Sequence, residues 1–239
     1  MTTPEAALRQ LPAQFQRALT FHRQGQLALA QAVYEQILAI QPGNADALHL
    51  LGVIAAQMQN PRKAVELLDQ AIELKPNVAA AHNNRGSALK ELGRFEQALA
   101  DYDRAIAIEA GYAEAHFNRG VVLYELKQWA AALASYARAI AVKPDFAGAY
   151  YNRGIVLREL RQFEAALASY DRAIAIKADY VEAYLTRMLP SSSLPTLQHY
   201  NHRSRHRPIV LRQRRTMVRH PQKNYKDRKS TRLNSSHVD

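Results

Sequence analysis

Three asparagines recur at a fixed interval in this chain: Asn84, Asn118 and Asn152, each 34 residues from the next. A side-chain amide carries one acceptor oxygen and two N–H donors, so it can pair with both the C=O and the N–H of an extended backbone. A row of such amides would read main chain rather than side chains. Gln16, Leu50 and Thr186 stand at the equivalent positions elsewhere, so the row is short. The competing reading is that these amides are solvated or satisfied within the fold. Beside them stand His49, Asn83, Phe117 and Tyr151, with Tyr124 and Arg158 one to two helical turns further on. Phe117, Tyr124 and Tyr151 would offer apolar contact to a partner's side chains. Packing between neighbouring helices is their alternative.

Other residue types point away from catalysis. Arg85, Arg119, Arg153 and Arg187 share one register. They would form a basic stripe for acidic peptides or, the favoured reading, pair with acids such as Asp101, Asp103 and Asp171 while their stems cover apolar surface. His82 and His116 sit 34 residues apart where Tyr150 and Tyr184 occupy the same position, so they read as packing substitutions too far apart to share a metal. Glu91, Glu125 and Glu159 recur without a close carboxylate partner, unlike an acid–base pair. Phosphate-loop, dinucleotide, zincin and nucleophile-elbow motifs are missing. The expectation is no enzyme, no cofactor and no metal.

The elements that position these residues follow from the period. Gly52, Gly86, Gly120 and Gly154 are 34 apart. Ala30, Ala64, Ala98, Ala132 and Ala166 share that spacing, as do Tyr34, Leu68, Tyr102, Tyr136 and Tyr170. Each unit holds two apolar stretches at helical spacing, for example Ala88, Leu89 and Leu92, then Phe95, Leu99, Tyr102 and Ile106. Gly86 and Ala98 are small where the two helices of a unit cross, and Tyr102 beside Ala105 offers a large-beside-small surface to the next unit. Gly25 and Gly93 suit the turn between paired helices, as does Gln59-Asn60-Pro61. Pro42, Pro76 and Pro144 read as terminators of second helices, with Ala110 and Ala178 replacing proline in two units.

On these residues, with the near copies HNNRGSALKEL, HFNRGVVLYEL and YYNRGIVLREL, the chain resembles tetratricopeptide repeat (TPR) proteins. The resemblance implies an all-α fold, a right-handed α-solenoid of five helix–turn–helix units at 11–44, 45–78, 79–112, 113–146 and 147–180. A truncated sixth unit lies at 181–187, and 1–10 is an N-terminal lead-in. First helices would line the concave side, which is a binding surface before it is an active site. The array is also similar to the TPR region of O-GlcNAc transferases, where asparagines at this repeat position hold a peptide along the inner groove. That likeness implies peptide binding by Asn84, Asn118 and Asn152, flanked by Asn83, Phe117, Tyr151, Tyr124 and Arg158. The opening FHRQGQLALAQAVYEQILAIQPGNADALHLLGV is similar to the start of bacterial arrays fused to glycosyltransferase, sulfotransferase or methyltransferase domains, so a substrate-recruiting region of a larger enzyme is the alternative.

Charge is divided unevenly. The 239 residues carry a net charge of +11 and no cysteine, which excludes a disulfide scaffold. Residues 1–187 hold 20 Lys+Arg and 19 Asp+Glu, whereas 188–239 hold 12 and 2. The body is near neutral, so its charge says nothing for nucleic acid. Beyond 187 the repeat fails at Met188 and LPSSSLP. Asp227–His237 reads DRKSTRLNSSH, which resembles the translation of a common short-read sequencing adapter. Residues 227–239 are therefore expected to be adapter-derived, and 188–226 frameshifted or chimeric and disordered. No secretory signal and no membrane span is legible, so a cytoplasmic protein is expected. The expected partner is a protein or peptide segment, with no nucleic acid and no membrane. The uncapped last repeat suggests self-association.

Overall fold

The computed structural model describes residues 4–188, which form helices joined by short turns. In chain order these are α1 (Pro4–Arg23), α2 (Leu27–Ile40), α3 (Ala45–Gln57), α4 (Pro61–Leu74), α5 (Ala79–Glu91) and α6 (Phe95–Ile108). They continue as α7 (Ala113–Glu125), α8 (Trp129–Val142), α9 (Ala147–Glu159), α10 (Phe163–Ile176) and α11 (Val181–Met188). The fold is an all-α solenoid of helix pairs, α1–α2 through α9–α10, with α11 opening a further unit. Helix α1 starts at Pro4, so the lead-in is helical from there, and Met188 closes α11. The expectations of a disordered tail, of a frameshift over 188–226 and of adapter text over 227–239 concern positions outside the described residues, except Met188. Among the described residues no helix is long and apolar enough to cross a membrane.

Each pair is locked by one contact. A Cβ built on Gly86 would stand 2.8 Å from Cε1 of Tyr102, and one on Gly154 would stand 2.5 Å from Cε1 of Tyr170. The glycine therefore lets the tyrosine ring lie flat against the first helix of its own unit. Tyr102, Tyr136 and Tyr170 are fully buried there, and Tyr34 is fully buried against a unit whose equivalent position is Ala18. The sequence reading had Tyr102 as a surface for the next unit. The ring fills its own unit's glycine gap and shares a buried cluster with Val122 of the next unit. Ala105 does face forward, packing with Ala79 and Ala115.

The turns repeat as strictly as the helices. Gly25, Gln59, Gly93, Lys127 and Arg161 occupy one position in five successive units, and all have positive φ, from 58° to 73°. Two of them are glycine; the other three carry the steric cost of a left-handed backbone, about 1–2 kcal/mol. Asn60 caps α4 by accepting from the Lys63 N–H at 3.2 Å, and Asn44 caps α3 by accepting from Ala47 at 3.0 Å. Proline does not set where second helices end. α6 and α10 stop at the same register as α2, α4 and α8, although Ala110 and Ala178 replace the proline. At two of these turns a side chain of the next unit holds the backbone: His82 Nε2 bonds Pro76 O at 2.9 Å and His116 Nε2 bonds Ala110 O at 3.1 Å.

Successive first helices α3, α5, α7 and α9 touch one another, while second helices meet chiefly through them. The first-helix side is thus the tighter, inner side of the stack.

Candidate functional site

The period places Asn84, Asn118 and Asn152 at one position of α5, α7 and α9, all half-buried on the inner side. Their donors are turned inward on the array. Asn84 Nδ2 lies 2.9 Å from His49 Nε2, and Asn118 Nδ2 donates to Asn83 Oδ1 at 3.0 Å. Each bond joins a first helix to the one before it, across 35 residues. Phe117 stands where His49 and Asn83 stand in earlier units and accepts nothing, so the Asn152 amide donates to the Tyr136 hydroxyl instead. One of the two N–H groups of each amide is thus engaged within the array, and no side-chain partner meets the three amide oxygens among the described residues.

Asn83 is buried and lies against both Asn118 and the Tyr112 hydroxyl, which removes it from the accessible surface. Phe117 and Tyr151 repeat each other's contacts. Phe117 packs at 5.9 Å on Tyr136 and 4.8 Å on Phe146; Tyr151 packs at 5.9 Å on Tyr170 and 5.0 Å on Tyr180. Both are half-buried, so packing covers each ring only in part. The Tyr151 hydroxyl is also 3.2 Å from Thr186 Oγ1, the same link across 35 residues that the amides make. Tyr124 stacks at 5.2 Å on Trp129.

Arg158 differs from its neighbours. Its side chain is only 17% exposed, its Nη2 is 3.7 Å from Glu159 Oε1, and its Nη1 is buried without a partner. The Tyr170 hydroxyl is close enough to feel the Arg158 charge and is likewise buried without a partner. Burial raises the Tyr170 pKa well above its ordinary value, with the Arg158 charge opposing that rise, so the phenol keeps its proton and is a donor. The orphaned hydroxyl has a sequence cause. Tyr102 is served by Ser87 and Tyr136 by Asn152, but Tyr170 meets Ile155 and Thr186 at those positions, and Thr186 is bonded to Tyr151 and Glu182 O. Sequence reasoning missed Tyr170; the replacement of Asn by Thr at 186 was the available signal.

Three arginines of the register are paired. Arg85 bonds Asp101 at 2.6 and 2.8 Å and Asp69 at 2.7 Å. Arg119 bonds Asp103 at 2.7 Å, and Arg187 bonds Asp171. His82 Nδ1 lies 3.3 Å from Asp101, so this buried carboxylate sits between two basic groups. His82 and His116 are buried packing residues. Among the described residues no cluster of three or more His, Asp or Glu has metal-site geometry.

Comparison with known proteins matches this geometry. Family profiles described as "TPR repeat" match residues 86–127 and 122–160. Profiles described as "Tetratricopeptide repeat" match 21–85 and 147–180. No curated protein sequence matches the chain. Among solved structures, YrrB, titled a TPR protein with an unusual peptide-binding site, is 23% identical with TM-score 0.62 over 78% of this chain and 100% of its own. PilF of Pseudomonas aeruginosa is 22% identical with TM-score 0.68 over 75% and 82%. MamA is 24% identical with TM-score 0.62 over 69% and 96%. At such identity these structures speak for the fold alone. Four profile matches together cover residues 21–180, the stretch that the helix pairs fill, so the chain belongs to the tetratricopeptide repeat family.

Proposed function

We propose that the array is a non-catalytic scaffold that holds an extended segment of a partner protein along its first-helix side. A protein-interaction scaffold is the general role of this fold. The observation that carries the finer reading is a pair of buried, unsatisfied donors whose charges interact, Arg158 Nη1 on first helix α9 and the Tyr170 hydroxyl packed beneath it. An unpaired buried donor costs about 1–3 kcal/mol, and a turn of the Arg158 side chain toward a partner's carbonyl or carboxylate oxygen would recover it. Asn84 and Asn118 supply acceptors for backbone N–H groups further along, and Phe117, Tyr124 and Tyr151 supply ring edges between them. A ligand in this groove is oriented, with oxygen acceptors toward α9 and N–H donors toward α5 and α7.

The test starts from a peptide selected on the full chain from a random library, with affinity measured by fluorescence anisotropy. Arg158→Gln is expected to weaken binding about tenfold or more, the loss of one charge-assisted bond, with helical content unchanged. The Asn84→Ala/Asn118→Ala/Asn152→Ala variant is expected to weaken it as well, measured where its circular dichroism equals that of the parent. Equal affinity in both variants removes the groove from consideration.

A further inference from the structure

The arginine register points to a second interaction surface, where first helices meet second helices. Each of these arginines leaves a first helix and reaches toward second helices. One contact is made to the residue 16 positions earlier, Asp69 for Arg85, Asp103 for Arg119 and Asp171 for Arg187. Another is made to the residue 16 positions later, Asp101 for Arg85 and Ser135 for Arg119. Arg153 occupies the same position on α9, but its earlier counterpart is Ala137 and its later one is Ser169. Ser169 Oγ donates to Ala165 O. Arg153 is half-buried and has no ion pair or side-chain hydrogen bond among the described residues.

The surroundings do not neutralise it. Helix α8 carries Arg138 and no acidic residue. On α10, Asp171 is engaged by Arg187, and Arg172 lies 6.0 Å over the Tyr150 ring. The notch between α8 and α10 is thus a site where three sister positions place an aspartate carboxylate and this one places a methyl group.

We propose that the Arg153 notch takes the carboxylate of an Asp or Glu side chain from a partner protein approaching the second-helix side. A carboxylate fits because Asp69, Asp103 and Asp171 fill the equivalent notches from within the chain at bonding distance. A guanidinium in a half-buried fork binds carboxylate through two parallel N–H groups and loses little freedom in doing so. Arg138 and Arg172 on the flanking helices add to the local positive field. This contact is independent of the inner groove and would let the array hold two partner segments at once.

The test uses the full chain labelled with ¹⁵N-arginine and follows the Nε–Hε resonances, with Arg153→Lys identifying the Arg153 signal. The probe is N-acetyl-aspartate N-methylamide. The Arg153 resonance is expected to move saturably, while those of Arg85 and Arg119, already paired, stay in place. Ala137→Asp puts the missing carboxylate back into the register and is expected to cut the Arg153 response at least tenfold. Ala137→Asn, a neutral isostere, is expected to leave the response intact. An Arg153 shift no larger than that of Arg138, an undiminished response in Ala137→Asp, or tighter saturation by inorganic phosphate than by the capped aspartate would each overturn the proposal.

Discussion

Asn118 Nδ2 donates to Asn83 Oδ1 over 3.0 Å, tying the first helix of one repeat to that of the one before. Asn83 is 6% exposed, so its oxygen has little access to water if the donor is removed. Asn118→Ala is therefore expected to lower stability by about 1–2 kcal/mol, the cost of an orphaned buried acceptor. Urea denaturation followed at 222 nm measures this. Hydrogen exchange should show the loss concentrated in α5 and α7, because repeat arrays transmit stability between neighbours. An unchanged midpoint would mean the bond contributes nothing net.

Asp101 is a sharper case. Its carboxylate is 4% exposed and accepts from Arg85 at 2.6 and 2.8 Å, with His82 Nδ1 at 3.3 Å. The Asp101 bond, together with the Asp69 contact, raises the Arg85 pKa further above its ordinary value, against the opposing effect of burial. Asp101→Ala leaves a partly buried guanidinium without its main partner, and about 3–5 kcal/mol of destabilisation is expected. Chemical denaturation compares this variant with Asp103→Ala, whose carboxylate is solvent-exposed and should cost below about 1 kcal/mol. Similar losses in the two variants would contradict the burial argument.

Lys127 has φ 58° at a turn position where Gly25 and Gly93 have 73° and 72°. Lys127→Gly relieves the clash of its Cβ in the left-handed region and is expected to raise stability by about 1 kcal/mol, offset in part by glycine's larger unfolded-state entropy. A rise in the thermal midpoint of one to a few degrees is the readout. Gly93→Lys should lower it by a similar amount.

His49 gives the groove a pH dependence. Burial lowers its pKa from the ordinary 6.5, with Asp46 opposing in part, and its Nε2 faces the Asn84 amide donor. A folded pKa below the unfolded one means the unfolded chain takes up the proton more readily. The stabilisation is complete above about pH 6.5 and declines as pH falls from there toward the lowered folded value. His49→Gln should flatten the urea midpoint between about pH 7 and pH 5 relative to the parent. Parallel profiles for the two proteins would remove His49 as the titrating group.

The helices, their pairing and their number per repeat were legible because one period carries every packing decision. Gly154 and Tyr170, or Gly86 and Tyr102, need only recur at 34 residues for the same crossing to form each time. Even the ion pairs of Arg85, Arg119 and Arg187 could be read from spacing, since acid and base recur in register. Proline was a true marker for the ends of three second helices, but α6 and α10 end at the same register without it.

The sequence by itself determined the repeat, the all-α solenoid and the register that brings Asn84, Asn118 and Asn152 to one side. Only the tertiary structure decided what those amides do. Whether a donor points to a neighbour or to a ligand depends on what stands 35 residues earlier: His49 and Asn83 accept, and Phe117 cannot. It also decided which polar groups are left over among the described residues: the buried Gln14 Oε1, Tyr34 hydroxyl, Arg158 Nη1 and Tyr170 hydroxyl, and the half-buried Arg153. A period states which positions are equivalent, but a hydrogen bond needs two particular groups within about 3 Å, and that is settled by the side chains that stacking brings face to face.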